Sequence, residues 1–373
     1  MFESAASTAL IAPATSGHYP QPDLKPLAPA APEAAGSVRH RVLSLGGPST
    51  AKPRTFTLNA RLRGRSVLSD TDLTPDEIGE VLETAARLKE LRRAHEPHPY
   101  LAGKTLGLIF QHPSTRTRVA FEAGMAQLGG QAIFLGVHDL QVKRGETLAD
   151  TAQVLSRYVD GIVARVASHD DIEELAGAAS VPVHNGLTDK SHPMQALSDL
   201  LTLRERFGKL QGLRLAYFGD GNNVCHSLLL TGAAMGITIA VAAPEGHQPD
   251  PAVVTQAGWL AAASGAAITV TTDPAEAIVD ADAVYTDVHV SMGQKDGAAR
   301  AVAFAPYKVS GRLMAAAKPE AVFMHCLPMH RDEEVAATVA DGPQSIIFDQ
   351  AENRLHLHKA ILLHTLCSSE RGA

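Results

Sequence analysis

Hydroxyl and guanidinium groups are concentrated in five consecutive residues, Ser114-Thr115-Arg116-Thr117-Arg118, between an apolar strand and an apolar helix. The start of such a helix presents free backbone N–H groups and the positive end of the helix dipole. Arginine adds donors that match phosphate oxygens. We therefore predict a site for a dianion such as phosphate, the alternative being a serine cap followed by solvated arginines. The glycines and lysine of a P-loop are missing, so ATP is not indicated.

A second group of polar residues is His192-Pro193-Met194-Gln195, which follows an apolar stretch over 181–184 and a loop. Proline is typical of the first position of a helix, and this places His192 and Gln195 on one helix face. Two neutral donors on one face can bind a carbonyl oxygen. The pattern by itself is weak, because a histidine beside a proline usually caps a helix or forms a hydrogen bond in the core.

A glycine-containing turn, Gly219-Asp220-Gly221-Asn222-Asn223, follows an apolar strand over 213–218. It is similar to a dinucleotide-binding turn, but Val224 occupies the place of the third glycine. We therefore predict that this turn binds a small polar ligand rather than NAD.

The fourth group, Asp287-Val288-His289-Val290-Ser291-Met292-Gly293, follows a strand predicted over 283–286. Ligands of open α/β sheets bind beyond the carboxyl ends of the strands. Asp287 can pair with an ammonium group, and the turn at 291–293 can offer N–H groups to a carboxylate. An ordinary acidic loop is the alternative.

The fifth group is His325-Cys326-Leu327-Pro328, at the end of a strand predicted over 321–325. Cys326 can be a nucleophile, a metal ligand, a polar contact or simply a core residue. No Cys/His grouping in the sequence has metal-ligand spacing, so we predict neither a metal nor a cofactor.

The composition narrows the class of protein. The 373 residues carry a net charge of −7, which argues against a nucleic-acid binder with a large basic surface. The three cysteines are far apart and form no CxxC pair, which suits a reducing compartment. Two uncharged stretches, 221–244 and 251–272, are interrupted by glycine and threonine, so we predict no membrane span.

Apolar strands and periodic helices alternate along the chain from about residue 65. Strands are predicted over 105–110, 131–135, 161–166, 181–184, 213–218, 238–243, 267–271, 283–286, 321–325 and 345–348, and the last helix over 352–366. This alternation predicts an α/β fold with parallel sheets in two halves. Residues 1–60 are rich in Ala and Pro, and we predict a disordered extension, with a transit peptide as the alternative.

The five groups, in this order, closely resemble the ornithine carbamoyltransferase family over about residues 64–370. STRTR and HPxQ mark carbamoyltransferases in general, whereas DxxxSMG and HCLP resemble the ornithine branch. The resemblance implies two doubly wound parallel-sheet domains joined by helices. One domain (61–190 plus the final helix, 352–370, packing back on it) binds carbamoyl phosphate, and the other (191–350) binds ornithine. It also implies a homotrimer, or a multiple of trimers, with active sites shared between subunits.

The same resemblance implies a role for individual residues. The carbamoyl phosphate-binding set is Ser114, Thr115, Arg116, Thr117, Gln141 of a neighbouring subunit, Arg165, His192, Gln195, Cys326, Leu327 and Arg354, with Arg118 in support. The ornithine-binding set is Asn223, Asp287, Ser291 and Met292. The residues expected to act in catalysis are Cys326, Asp287, Arg165 and His192.

The resemblance further implies transfer of the carbamoyl group to the side-chain amine of L-ornithine, in arginine biosynthesis and in the cytoplasm, or in an organellar matrix if residues 1–60 are a transit peptide. The attacking amine must be neutral, so activity should rise above neutral pH. Three alternatives stay open at this point: a carbamoyltransferase for aspartate, putrescine or an acylated ornithine, an NAD-linked dehydrogenase, and a catalytically silent binding protein on the same fold.

Overall fold

A computed structural model describes residue 56 and residues 58–136, 138–289 and 297–367. Ser291 and Met292 of the predicted ornithine site lie outside these ranges, as does most of the predicted N-terminal extension. The described chain is already packed before Arg65, since Leu62 in a 3-10 helix (Ala60–Leu62) is buried.

Strands and helices alternate through the described residues. The strands are β1 (Thr105–Phe110), β2 (Gln131–Gly136), β3 (Gly161–Arg165), β4 (Val183–Leu187), β5 (Arg214–Phe218), β6 (Thr238–Ala242), β7 (Ile268–Thr271), β8 (Ala283–Thr286) and β9 (Val322–His325). The α-helices are α1 (Pro75–Arg93), α2 (Thr115–Gln127), α3 (Leu148–Leu155), α4 (His169–Ala178), α5 (Pro193–Phe207), α6 (Asn223–Ala234), α7 (Pro251–Ser264), α8 (Pro274–Ala277), α9 (Gly297–Phe304), α10 (Gly311–Met314), α11 (Ala337–Ala340) and α12 (Ile347–Leu366).

The first sheet is parallel and has the strand order β2-β1-β3-β4. Successive residues of β1 face opposite sides, so Leu106 and Leu108 enter one core and Ile109 enters another. The first core also contains residues of α1, α2 and α12, and the second contains residues of α3 and α4. Because helices cover both faces, the strand can be apolar throughout.

The second sheet is also parallel, with the order β7-β6-β5-β8-β9. The rings of Tyr217 and Tyr285 stack on one face, with centroids 5.8 Å apart. Phe218 and Phe323 belong to a separate core on the other face. The predicted α/β fold with two parallel sheets is therefore confirmed.

The chain's last helix, α12, contacts α1 and α2 of the first half and also α5. His364 Nε2 lies 3.0 Å from the Thr84 hydroxyl of α1, and Lys359 Nζ donates to Gln127 Oε1 of α2 at 2.9 Å. Among the described residues, no helix is long and apolar enough to cross a membrane.

The predicted strand over 345–348 is wrong. Only Ser345 makes an isolated bridge, to Phe323, and α12 begins at Ile347, five residues before the predicted start of the helix at 352. A short apolar run cannot be assigned to a strand or a buried helix by periodicity alone. Here the run leads into the buried first turn of α12, which ends at Leu366, as predicted.

We predict that Leu362→Ala destabilises the protein by about 2–5 kcal/mol, because Leu362 of α12 is fully buried and truncation leaves a cavity. Phe348→Ala on the same helix removes a side chain that is 71% exposed and should change the stability by less than about 0.5 kcal/mol. Urea unfolding followed by circular dichroism measures both. Equal losses in the two variants would contradict this account of how α12 is held.

Candidate active site

Several of the predicted site residues lie at the point in each sheet where the strand order reverses. In the first sheet this point falls between β1 and β3, and in the second between β5 and β8. Ligands of open α/β sheets bind in the crevice beyond the carboxyl ends of such strands. Arg116 follows β1 and Arg165 ends β3, whereas Asn222 follows β5 and Asp287 follows β8. Topology alone therefore provides one place for a ligand in each sheet.

Three arginines from distant parts of the chain converge at the first of these places. Arg116 lies in the first turn of α2, Arg165 ends β3, and Arg354 lies on α12. Arg354 Nη2 donates a hydrogen bond of 2.6 Å to Thr117 Oγ1, which joins α12 to α2. The charges of Arg116 and Arg165 act on Arg354, so the three guanidinium groups share one electrostatic environment. The structure thus brings together the residues that the sequence placed in one phosphate site.

The positive charges of these arginines are poorly compensated by their surroundings. Burial and the neighbouring guanidinium of Arg116 lower the pKa of Arg165 to about 10, and burial with both neighbours lowers that of Arg354 to about 10. The Nε atoms of all three arginines are buried without a hydrogen-bond partner among the described residues. Within those residues, none of the three forms an ion pair with a carboxylate within 4.0 Å. The cluster can therefore accept an anion of charge −2.

The other residues of the first turn of α2 have different surroundings. Ser114 caps the helix, and its hydroxyl accepts from the Thr117 backbone N–H at 3.4 Å. Thr115 is exposed. Arg118 is also exposed, and it pairs with Glu122 at 3.0 Å, which separates it from the buried cluster.

His192 is buried at the start of α5. Its backbone N–H donates to Ser227 Oγ at 2.7 Å, and its Nδ1 has no partner among the described residues. Burial, followed by the charges of Arg354 and Arg165, holds the pKa of His192 well below its usual value. The imidazole is therefore neutral near pH 7 and can donate one N–H to a ligand.

Gln195 follows His192 by one helical turn and is buried. Its Nε2 donates to Asp199 Oδ1 at 2.9 Å. The same oxygen of Asp199 accepts from Gln350 Nε2 at 2.8 Å. Gln195 is thus held by a buried carboxylate.

Asp287 and Cys326 meet at the second place. Cys326 Sγ donates to Asp287 Oδ1 at 3.0 Å, and Asn222 Nδ2 donates to Asp287 Oδ2 at 2.8 Å. Burial and then the charge of Asp287 raise the pKa of the Cys326 thiol. Cys326 is therefore a protonated hydrogen-bond donor and not a thiolate nucleophile.

The backbone turns sharply after Cys326. Leu327 has a φ of 59°, which costs a non-glycine residue about 1 kcal/mol. The turn is held by the His325 ring, whose Nδ1 accepts from the Leu327 N–H at 2.9 Å while Nε2 donates to Glu334 at 3.2 Å. Asp287, His325 and Cys326 present possible ligand atoms within 4.8 Å of one another, a grouping that sequence spacing did not reveal. Both ring nitrogens of His325 are already bonded, and the absence of a metal stays a prediction.

The remaining predicted residues are less closely placed. Asn223 begins α6 and its Nδ2 donates to Thr188 O at 2.5 Å. Gln141 is exposed at the start of a 3-10 helix (Gln141–Arg144). Ser291 and Met292 lie outside the described residues.

Sequence reasoning missed Asp199 and Gln350, which contact the site, and it placed Asn222 in a ligand-binding turn without its contact to Asp287. Asn222 caps α6 through Oδ1, which leaves its Nδ2 for Asp287. The spacing of four between Gln195 and Asp199 was a usable signal, because such residues are neighbours on a helix. Nothing in the sequence signalled Gln350, because the first turn of α12, in which it lies, was predicted as a loop between a strand and a helix.

Comparison with known families decides the classification. The aspartate/ornithine carbamoyltransferase carbamoyl-P binding domain matches residues 65–205, and the Asp/Orn binding domain of the same family matches residues 211–365. The chain belongs to the aspartate/ornithine carbamoyltransferase family. The two matches meet just after α5, between the two sheets of this carbamoyltransferase.

Individual members of the family are similar over most of their length. The ornithine carbamoyltransferase of Symbiobacterium thermophilum is 56% identical over 81% of this chain and 97% of its own. The anabolic ornithine carbamoyltransferase of Pyrococcus furiosus is 52% identical over 81% of this chain and 96% of its own. A solved ornithine carbamoyltransferase structure from Pyrococcus furiosus has a TM-score of 0.80 at 52% identity, covering 82% of this chain and 98% of that one.

We predict that Asp287→Asn makes Cys326 react several-fold faster with iodoacetamide at pH 8.5. Burial and the Asp287 charge together keep the thiol protonated, and removing the charge lets its pKa fall, which increases the thiolate fraction. Mass spectrometry of the alkylated peptides gives the rate, with Cys367 in the same sample as an internal reference.

Asp282→Asn is the matched control, because Asp282 precedes β8 whereas Asp287 follows it. Its Cys326 rate should equal that of the unsubstituted protein. A Cys326 rate that does not change in Asp287→Asn would show that the carboxylate does not control the thiol.

Proposed function

We propose that this chain is an ornithine carbamoyltransferase, which transfers the carbamoyl group of carbamoyl phosphate to the side-chain amine of L-ornithine. The products are L-citrulline and phosphate, and the reaction serves arginine biosynthesis. In this proposal residues 61–190 and the terminal helix bind carbamoyl phosphate, and residues 191–350 bind ornithine. The relatives described above, one of them named anabolic, support the reaction and its direction.

One observation carries the proposal: a largely buried arginine cluster, which forms no ion pair among the described residues, lies close enough to the carboxylate of Asp287 and the protonated thiol of Cys326 to interact electrostatically with both. Burial lowers the pKa of Arg116, and the charge of Asp287 opposes that shift. Burial raises the pKa of Cys326, and the charge of Arg116 opposes that one, so the three groups act on one another. A dianion on the cluster and an ammonium group on Asp287 would therefore be neighbours. Carbamoyl phosphate and an amino acid with a side-chain amine have these two charges.

The phosphate is bound by the arginine cluster together with the start of α2. The residues that hold it are Ser114, Thr115, Arg116, Thr117, Arg165 and Arg354, completed by Gln141 of a neighbouring subunit. As the bond between the carbonyl carbon and the phosphate oxygen breaks, negative charge grows on the phosphate. The desolvated guanidinium groups stabilise that charge more strongly than exposed ones would.

The carbamoyl group lies beside α5. Arg165 and neutral His192 donate to the carbonyl oxygen, where negative charge develops during attack, and each such donor is worth about 3 kcal/mol in the transition state. Gln195 binds the carbamoyl amine, and the turn at Cys326 and Leu327 encloses the group.

Ornithine is bound by Asn223, Asp287, Ser291 and Met292, with Asp287 paired to an ammonium group. The neutral side-chain amine attacks the carbonyl carbon, and its surplus proton leaves with the phosphate, so no covalent enzyme intermediate is needed. Cys326, held by Asp287, orients the amine. Bringing both substrates together removes much of the entropic barrier.

The dinucleotide alternative is disfavoured by how the turn after β5 packs. The N–H of Gly221 donates to His247 O at 2.8 Å, and a Cβ at Gly221 would lie 2.2 Å from Pro249 N. Residues 247–249 therefore cover this turn. The packing favours a small ligand at Asn222 and Asn223 over a pyrophosphate.

A homotrimer, or a multiple of trimers, belongs to the same proposal. Strand β2 lies at the edge of the first sheet, and Ile133 on it is 45% exposed. Such an edge is available for contact with another subunit, and Gln141 is exposed shortly after it in the chain. A cytoplasmic location fits the free cysteines Cys225, Cys326 and Cys367.

The test is to incubate the protein with carbamoyl phosphate and, separately, L-ornithine, N-acetylornithine, putrescine and L-aspartate. We expect turnover with L-ornithine alone, with citrulline and phosphate formed in equal amounts. The rate at saturating substrate should rise between about pH 7 and pH 9 as the amine loses its proton. His192 is already neutral in that range because burial lowers its pKa.

Turnover with a different amine would leave the phosphate site in place and refute the ornithine site. A rate that stays flat across this pH range, with chemistry rate-limiting, would contradict attack by a neutral amine. Absence of turnover with every amine would favour a catalytically silent binding protein.

A further inference from the structure

Asp199 is a fully buried carboxylate that the proposed reaction does not use. It lies on α5, four residues after Gln195, and receives hydrogen bonds from three side chains. Gln195 Nε2 donates to Oδ1 at 2.9 Å, Gln350 Nε2 donates to the same atom at 2.8 Å, and the Tyr285 hydroxyl donates to Oδ2 at 3.0 Å. These donors come from α5, α12 and β8.

An ionised carboxylate only accepts hydrogen bonds, so it determines which way a neighbouring amide faces. Gln195 must present its Nε2 to Asp199, because the reverse orientation would place two buried oxygens against each other at a large cost. The atom of Gln195 left for a ligand is therefore Oε1. A carbonyl oxygen accepts from an N–H group and gains nothing from a methyl group.

We infer that Asp199 is a specificity-determining positioning residue, which fixes the Gln195 amide so that the site selects an acyl phosphate with an –NH2 group over one with –CH3. The inference rests on the proposed function, in which Gln195 binds the carbamoyl amine. Asp199 itself touches no substrate. Its effect on the ligand passes through Gln195.

Hydrogen bonds and a nearby positive charge favour the ionised form of Asp199. Burial raises the pKa of Asp199 to about 7 although the hydrogen bonds from Gln350, Gln195 and Tyr285, together with the charge of Arg354, oppose that rise. Above pH 7 the carboxylate form therefore predominates. The three donors are satisfied at one group, which keeps it in a single geometry.

The same carboxylate also fixes the amide of Gln350. Because Gln350 Nε2 faces Asp199, its Oε1 is free to accept from the His325 N–H, at 2.9 Å. His325 directly precedes Cys326. Asp199 thus connects the carbamoyl side of the site to the end of β9, and this explains why an acceptor-only group suits the position.

The experiment compares two stable ligands at pH 8 by calorimetry. Phosphonoacetamide carries the carbamoyl –NH2, and 2-oxopropylphosphonate carries –CH3 in its place. The unsubstituted protein should bind phosphonoacetamide about tenfold more tightly or better. Asp199→Ala should weaken phosphonoacetamide by about tenfold and change the methyl ketone by less than about twofold. Asp199→Ser, which keeps a hydroxyl group, makes the same comparison if Asp199→Ala does not fold.

Three controls separate positioning from a general structural role. Asp199→Asn should keep the discrimination, because its Oδ1 can accept from both amides while its Nδ2 donates to Tyr285. In a Gln195→Ala background, Asp199→Ala should not change the ratio of the two affinities further. Glu205→Gln, on the same α5 and likewise bonded to an amide of α12, Asn353, should leave both affinities unchanged.

Equal weakening of both ligands in Asp199→Ala or Asp199→Ser would overturn the inference, since it would indicate a merely structural carboxylate. An unchanged ratio would overturn it as well. Failure of the unsubstituted protein to bind either ligand would contradict the proposed function itself, and with it this inference.

Discussion

Three guanidinium groups that repel one another, two of them buried and that of Arg116 half-buried, are the constraint on which the rest of this molecule depends. Arg116, Arg165 and Arg354 are held together without a paired carboxylate among the described residues, and burial lowers the pKa of each. Such a cluster opposes folding, and a dianionic ligand relieves the repulsion. The packing of the two parallel sheets offsets this free-energy cost. Helix α12 contributes as well, because it places Arg354 against Thr117 of α2.

The surroundings of the cluster follow from this charge. His192 is neutral because its positive neighbours and its burial disfavour the imidazolium, so it can serve as a donor without adding to the repulsion. Two carboxylates of the site already accept hydrogen bonds from side chains. Asp287 accepts from Cys326 and Asn222, and Asp199 accepts from Gln195 and Gln350. Neither carboxylate forms an ion pair within 4.0 Å with an arginine of the cluster. The site therefore keeps its positive charge for the phosphate and one carboxylate for the ammonium group.

Much of this arrangement could be predicted from the sequence. The alternation of apolar strands and helices predicted both parallel sheets, and residue types predicted an anion site at residues 114–118. Only the resemblance to a known family implied that Arg165 and Arg354 join this site and that Cys326 lies near it. Spacing could not reveal contacts made by folding, such as Asn222 with Asp287, or Gln350 with Asp199 across a separation of 151 residues. The strand predicted over 345–348 failed because a buried helix start and a buried strand have the same apolar pattern.

The most direct test of the central claim is the stability of Arg165→Met, measured by urea unfolding with and without phosphonoacetamide. Without ligand, the variant should be more stable than the unsubstituted protein by about 1 kcal/mol or more, because a repelled, buried charge has been replaced by an apolar side chain. Phosphonoacetamide at about 100 times its Kd should stabilise the unsubstituted protein by about 2.7 kcal/mol and leave the variant unchanged. A variant that is less stable without ligand, or that gains as much from the ligand, would contradict the account.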